Sequence, residues 1–343
     1  MNFISDNAYG ASPEILAAMT RAAAGTAISY GDDELTARLT ARLCELFERE
    51  VAVFPVVTGT AANSLILSAL CPPYGAVIAH AKSHIAVDEC GAPEFFTGGA
   101  KLALVTAPAG KLVPGQIDEA LTHFWGGVHS MKPSVVSITQ ATEMGTVYRP
   151  EEVAALAERT HARGMTLHMD GARFANALAT LKCTPAEITW KAGVDALSFG
   201  ATKNGAVMAE AAIFFDPAKA GDFSWRRKRG GHLVSKMRFI SAQLLAYLEN
   251  GLWLANAARA NEVAAHLAEG LAKIPGVTLA HPAEANAVFA WMPARLAKTL
   301  HDAGARFYDW ETAPDGRVMA RLVCSFATPQ TDVAKFLSVA AGR

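Results

Sequence analysis

Between residues 50 and 215, short apolar runs alternate with segments of helical period. The runs at 51–57 (VAVFPVV), 76–80 (AVIAH), 101–107 (KLALVTA), 134–140 (SVVSITQ), 165–170 (MTLHMD), 195–199 (DALSF) and 211–216 (AAIFFD) are predicted as strands. Several are apolar at consecutive positions, so both faces are hydrophobic, as in strands buried inside a parallel sheet. The segment TAANSLILSALC follows the first strand and has the pattern of a helix. RPEEVAALAERTHARG (149–164) carries a proline at its entry, acids early, basic residues late and a terminal glycine, which are helix start and stop signals. Repeated β–helix–β units predict an α/β sheet covered on both faces.

The pattern changes after residue 217. Long helical periods lead to TLAHP, AVFAWMP, ARLAKTLHDAG and GRVMARLVCSF, a strand–strand–helix–strand order expected of a small α+β unit. The expected organisation is an N-terminal arm (1–15), a large domain (16–245) and a small C-terminal domain (246–343). The arm either pairs with the small domain or crosses to a partner.

Composition narrows the class. Of 343 residues, 51% are hydrophobic, which calls for a large core, a large subunit interface, or both. The net charge of −1, with no long block of one sign, argues against a nucleic-acid or anionic membrane surface. No apolar run approaches the roughly 18 residues needed to span a bilayer, and the N-terminus lacks a basic signal-peptide start. The five cysteines are scattered with no CxxC pair, a pattern expected of a cytoplasmic thiol protein. The histidines show no metal-site spacing, so no metal is expected.

Three stretches place chemistry at strand ends, where open α/β sheets bind ligands. TGTAAN (58–63) turns from strand into helix, and Gly59 and Thr60 there suit a phosphate. Alone, such a turn is commonplace. LHMDGARFANA (167–177) ends a strand with Asp170 and follows it with Arg173. An isolated Asp-Gly reads more simply as a helix cap. DALSFGATKNGA (195–206) sets Lys203 among small residues; a lone lysine on a loop is usually solvated. Together they meet the needs of pyridoxal phosphate. A lysine forms a Schiff base with the cofactor aldehyde, and an aspartate keeps the pyridine nitrogen protonated. Burial lowers a lysine's pKa and makes its amine a usable nucleophile.

Longer stretches carry a resemblance: SDN (5–7), YGDD (30–33), VTGTAANS (57–64), SHIAVDECGAPEFF (83–96), ITQATEMGTVYRP (138–150), LHMDGARF (167–174), SFGATKNG (198–205), SKMRF (235–239) and ARLVCSF (320–326). On these the chain resembles the fold-type I pyridoxal-phosphate enzymes, and among them the bacterial low-specificity L-threonine aldolases. The resemblance implies a large domain with a mostly parallel seven-stranded sheet and a small α+β domain. It implies that Lys203 carries the cofactor, that Asp170 pairs with the ring nitrogen, and that Gly59 and Thr60, with Thr202 beside the lysine, bind it. His84 would stack on the ring near the substrate hydroxyl. Arg173, Arg321 and Ser5 would hold the substrate carboxylate, with Tyr30 and Lys228 near the site at a subunit boundary. The other basic residues of RRKR (226–229) are expected in a solvated turn.

The same resemblance implies retro-aldol cleavage of L-threonine, L-allo-threonine and relatives such as phenylserine, in a homodimer or homotetramer with sites at the dimer interface. One position departs from the family: many members carry a histidine where this chain has Glu143. Two other enzyme readings are a phenylserine-preferring aldolase and a β-eliminating lyase of the same fold type. A non-catalytic cofactor-binding regulator is disfavoured, since the sequence offers no helix-turn-helix segment and is not basic.

Overall fold

The computed structural model describes residues 1–124 and 126–342. All seven predicted strands of the first region form, each within two residues of its expected bounds: β1 (Ala52–Val56), β2 (Gly75–His80), β3 (Lys101–Val105), β4 (Lys132–Thr139), β5 (Thr166–Gly171), β6 (Ala196–Gly200) and β7 (Glu210–Phe214). They make one sheet in the order β1-β7-β6-β5-β4-β2-β3. From β6 through β3 every neighbour pair is parallel, while β7 runs against both β6 and β1. Two reversals cancel, so β1 points the same way as β6, and its C-terminal end opens on the same edge. That is the topological reason a loop after β1 meets loops after β5 and β6.

Apolar runs become buried strands because helices cover both faces. Every residue of β2, β6 and β7 is buried. Leu167, Met169, Leu197, Phe199 and Ile213 belong to one continuous core with Leu39, Leu43 and Phe47. The helix Gly59–Leu70 starts where Thr58 accepts the Ala61 N–H at 3.1 Å, a side-chain cap. The helix Pro150–His161 starts on proline, with Glu152 accepting the Arg149 N–H at 2.6 Å.

The second sheet is antiparallel, in the order β10-β11-β9-β8: β8 (Thr278–Leu279), β9 (Ala287–Pro293), β10 (Tyr308–Thr312) and β11 (Arg317–Val323). β10 has no counterpart among the predicted strands, because this edge strand is largely exposed and its sequence, YDWET, is not an apolar run. The helices Leu252–Leu271, Ala294–Asp302 and Gln330–Ala340 pack on this sheet around Leu267, Val288, Leu300, Leu322 and Phe336. The N-terminal arm joins the same core within its own chain. Phe3 is fully buried, its N–H donates to the Arg306 carbonyl at 2.8 Å, and its carbonyl accepts from Val323 at 2.8 Å.

One expectation is corrected. RRKR is the final turn of the helix Phe223–Arg229; Arg229 is exposed and Arg226 half-buried, and the departure from the expected solvated turn is Arg227. Arg227 is buried there, with its guanidinium 5.4 Å from the Phe54 ring, because the amphipathic period turns one arginine inward.

Candidate active site

The loops after β1, β2, β4, β5 and β6 converge on a two-lobed cavity. The larger lobe, about 450 Å³, lies between the turn Thr58–Thr60 and the loop that carries Thr202 and Lys203, with His84 in its wall. The smaller, about 40 Å³, is lined by Asn63, His84, Glu143, Asp170, Arg173 and Lys203. Gly59, His84, Ala172 and Lys203 are common to both.

Lys203 sits in a short turn held from below. Asn204 is buried and donates to the Tyr247 hydroxyl and the Trp253 carbonyl, both at 2.8 Å. Its own carbonyl accepts from Asn256 at 3.0 Å. Burial and the neighbouring Arg173 depress the lysine's pKa, against the pull of Asp6, Asp170 and Glu210. The amine is therefore shifted toward its neutral, nucleophilic form. Beside it, Thr202 donates its N–H to Glu210 at 3.3 Å and accepts from the Ala209 N–H at 3.2 Å. Burial pushes the Glu210 carboxyl up to about 7.

Asp170, near the end of β5, is 4% exposed. One oxygen accepts the Ala172 N–H at 2.9 Å and the other accepts from Asn63 at 2.8 Å. On the cavity wall, His84 Nδ1 donates to the buried Glu89 at 2.7 Å. That bond raises the imidazole's pKa, helped by Asp170 and opposed by burial and Lys203. Burial raises Glu89 as well, opposed by its hydrogen bonds from His84 and Asn63. Glu143 accepts the His84 backbone N–H at 2.7 Å and the Thr139 hydroxyl at 2.8 Å. Its pKa is raised by burial and by the Asp170 charge.

Of the two arginines expected at the carboxylate site, Arg173 lines the smaller lobe; Arg321 borders neither and interacts with Arg173 and Asp6 through its charge. Arg173 is engaged by Asp6, whereas Arg321, on β11, has no carboxylate partner among the described residues. Its Nε–H is buried without an acceptor, and its guanidinium lies 5.0 Å from the Trp310 ring. Burial, then repulsion from Arg173, lowers its pKa to about 10. An arginine left with a buried, open donor suits an incoming carboxylate.

The sequence comparisons decide the family. The beta-eliminating lyase family matches residues 2–295. The chain belongs to this family. Among its relatives, the low specificity L-threonine aldolase of Pseudomonas sp. (strain NCIMB 10558) is 48% identical over 331 residues, spanning 96% of this chain and 94% of that protein. The aldolase of the same name from Pseudomonas aeruginosa is 48% identical over 327 residues, covering 95% and 93%. A solved structure of Leishmania major threonine aldolase superposes with a TM-score of 0.93 at 30% identity, covering 99% of this chain and 98% of that one.

Members of this family work with pyridoxal phosphate, and the residues present fit it. A Cβ added to Gly59 would meet nothing within 4 Å, so the turn leaves an open cradle. The helix starting there leaves the Gly59 and Thr60 amides without intrahelical partners, next to the Thr60 hydroxyl. A buried carboxylate and an amine of lowered pKa border the same cavity.

Not every expected residue gathers there. Ser5 caps the turn Asp6–Ala8, accepting the Asn7 N–H at 3.1 Å, and borders neither lobe. Tyr30 and Lys228 pair with each other, Nζ lying 4.5 Å from the ring centroid, and likewise border neither lobe. Conversely, Asp6, Asn63, Glu89 and Glu210 are parts of the site that the sequence reading did not single out. Asn63 had a signal: it is the amide side chain in a helix of small and apolar residues, and it is buried. Glu89 had none, since its partners come from residues 63, 64 and 84 only on folding.

Proposed function

We propose that the protein cleaves the Cα–Cβ bond of L-threonine, L-allo-threonine and related L-β-hydroxy-α-amino acids such as phenylserine, giving glycine and the aldehyde. The observation that carries this reading is the meeting of Lys203, Asp170, His84 and Arg173 around one small lobe. The near-full-length similarity to proteins named low specificity L-threonine aldolase supports it.

In this reading Lys203 Nζ would hold the cofactor, with Gly59, Thr60 and Thr202 around its phosphate end and Asp170 keeping a proton on the ring nitrogen. Pyridoxal phosphate, when bound, accepts the electron pair released as the Cα–Cβ bond breaks. Arg321 and Arg173, with Ser5 supporting the arm, bind the substrate carboxylate and so fix which bond at Cα is aligned for cleavage. His84 Nε2, the nitrogen not engaged by Glu89, takes the β-hydroxyl proton as the aldehyde leaves. A proton returned to Cα completes glycine, so the reaction consumes none overall. Glu143 occupies the position of the family histidine and acts by holding the His84 main chain.

A site that grips only the α-carboxylate and α-amine discriminates weakly at Cβ, because rejecting one β-configuration needs a dedicated polar contact. The family's description as beta-eliminating lyases favours a second reading, elimination to ammonia and a keto acid.

We assign an arm (1–15), a large unit (16–245) and a small unit (246–343) to this activity. The working form is a cytoplasmic homodimer or homotetramer, with Tyr30 and Lys228 facing the neighbouring copy. The exposed Ile28, Val87 and Met208 support such a contact. Among the described residues no helix is long and apolar enough to cross a membrane.

Assay of glycine and acetaldehyde released from L-threonine, with D-threonine and Lys203→Ala as controls, tests the reading. Equimolar products from the L-isomer alone, abolished in the variant together with the visible absorbance of the bound cofactor, are expected. Ammonia and pyruvate instead would move the assignment to elimination.

A further inference from the structure

Glu89 lies between the short helices His84–Val87 and Ala92–Thr97, with side chain fully buried. Cys90 and Gly91 follow it at φ 51° and 73°, two left-handed residues that reverse the chain beside Glu89. Its Oε1 accepts from His84 Nδ1 at 2.7 Å and from Asn63 Nδ2 at 2.8 Å. The same Asn63 amide donates to Asp170 Oδ2 at 2.8 Å, and Ser64 Oγ donates to Glu89 Oε2 at 3.4 Å. A buried carboxylate is costly compared with an apolar side chain of similar size. Here it links the histidine in the cavity wall to the aspartate at the end of β5.

We propose that Glu89 is a positioning residue for His84, holding the imidazole by Nδ1 and tying it through Asn63 to Asp170, so that Nε2 faces the cavity as a proton acceptor. The inference rests on the retro-aldol reading above only for what that acceptor does. The groups facing the pair are Asp170 from β5, Lys203 from the loop after β6, Glu143 at the His84 main chain, and the neutral Asn63 and Ser64 from the helix Gly59–Leu70. Glu89 and Asp170 favour the charged imidazole and Lys203 opposes it. Among the described residues Glu89 is the hydrogen-bond partner of the imidazole, and by accepting from Nδ1 it selects the tautomer.

The test uses cofactor-loaded wild type, Glu89→Gln and Glu89→Asp. Exchange of the His84 Cε1 hydrogen for deuterium, followed against pH by mass spectrometry of its peptide, gives the imidazole's titration midpoint. In Glu89→Gln the midpoint falls by about one unit or more. The kcat for L-threonine falls by about tenfold or more while KM stays within about twofold, and the acidic limb of the pH profile moves down with the midpoint. Glu89→Asp recovers part of both effects. An unchanged midpoint overturns the proposal, as does a shifted midpoint with unchanged kcat and pH profile. Should wild type release no glycine from L-threonine, the reaction assignment fails, and the exchange midpoint alone decides whether Glu89 governs His84.

Discussion

Arg173 donates both arms of its guanidinium to Asp6, Nε–H to Oδ2 at 2.8 Å and Nη2–H to Oδ1 at 3.0 Å, with both side chains largely buried. Asn286 adds a third donor to the same carboxylate at 3.0 Å. Burial alone would raise Asp6, but Arg173 and Lys203 more than offset it, and its pKa lies below the ordinary value. A depressed folded-state pKa contributes stability above the unfolded value of about 3.9 and loses it as pH falls through the folded one. Asp6→Asn therefore lowers stability at neutral pH by about 3 kcal/mol. Thermal melts between pH 3 and 7 should show the gap to wild type closing toward the acid end.

Arg321 is the complementary case, a half-buried cation whose Nε–H is buried without an acceptor. Arg321→Ala removes a charge-assisted contact to the substrate carboxylate, and KM for L-threonine should rise roughly 10- to 100-fold. Because the native side chain has no acidic partner to orphan, the melting temperature should change little. A large loss of stability with unchanged KM would make the arginine structural.

The division of labour between His84 and Glu143 can be ranked by substitution. His84→Asn removes the proposed proton acceptor, and kcat should drop by about 10²-fold or more with cofactor retained. Glu143→Gln keeps an oxygen for the His84 N–H and the Thr139 hydroxyl, so its loss should be about tenfold at most. If Glu143→Gln proves the more damaging, the proton is carried by Glu143.

Gly205, two residues after Lys203, has φ 117°, and an added Cβ would clash with Ser12 Oγ and lie 2.8 Å from Asn256 Nδ2. Gly205→Ala adds about 1–3 kcal/mol of backbone strain before any clash. Lower melting temperature and reduced cofactor occupancy are expected together, since Ser12 donates its N–H to the Gly205 carbonyl at 2.8 Å and Asn256 braces the Asn204 carbonyl. Visible absorbance per protomer, set against the melting curve, checks this.

Much of this was legible along the chain. Seven apolar runs became seven strands, and in β2, β6 and β7 burial on both faces demands local hydrophobicity that no polar sequence imitates. Gly59, Thr60, Asp170 and Lys203 could be picked out because a strand-end ligand site places its residues at fixed points of a periodic pattern. β10 could not, since an exposed edge strand owes its existence to its hydrogen-bonded neighbour β11. Arg227 was misread as solvated because a run of four basic residues hides which one the helix turns inward.

By itself, then, the sequence determined the layered sheet, the order of its loops and the chemical types gathered at its carboxyl edge, all of which follow from local periodicity and turn chemistry. Tertiary structure decided the partnerships: that Arg173 is bound to Asp6 while Arg321 keeps an open donor, and that Glu89 reaches both His84 and Asn63. Asp6 and Arg173 lie 167 residues apart, and a contact of that range is set by how elements pack, which no local window of sequence contains.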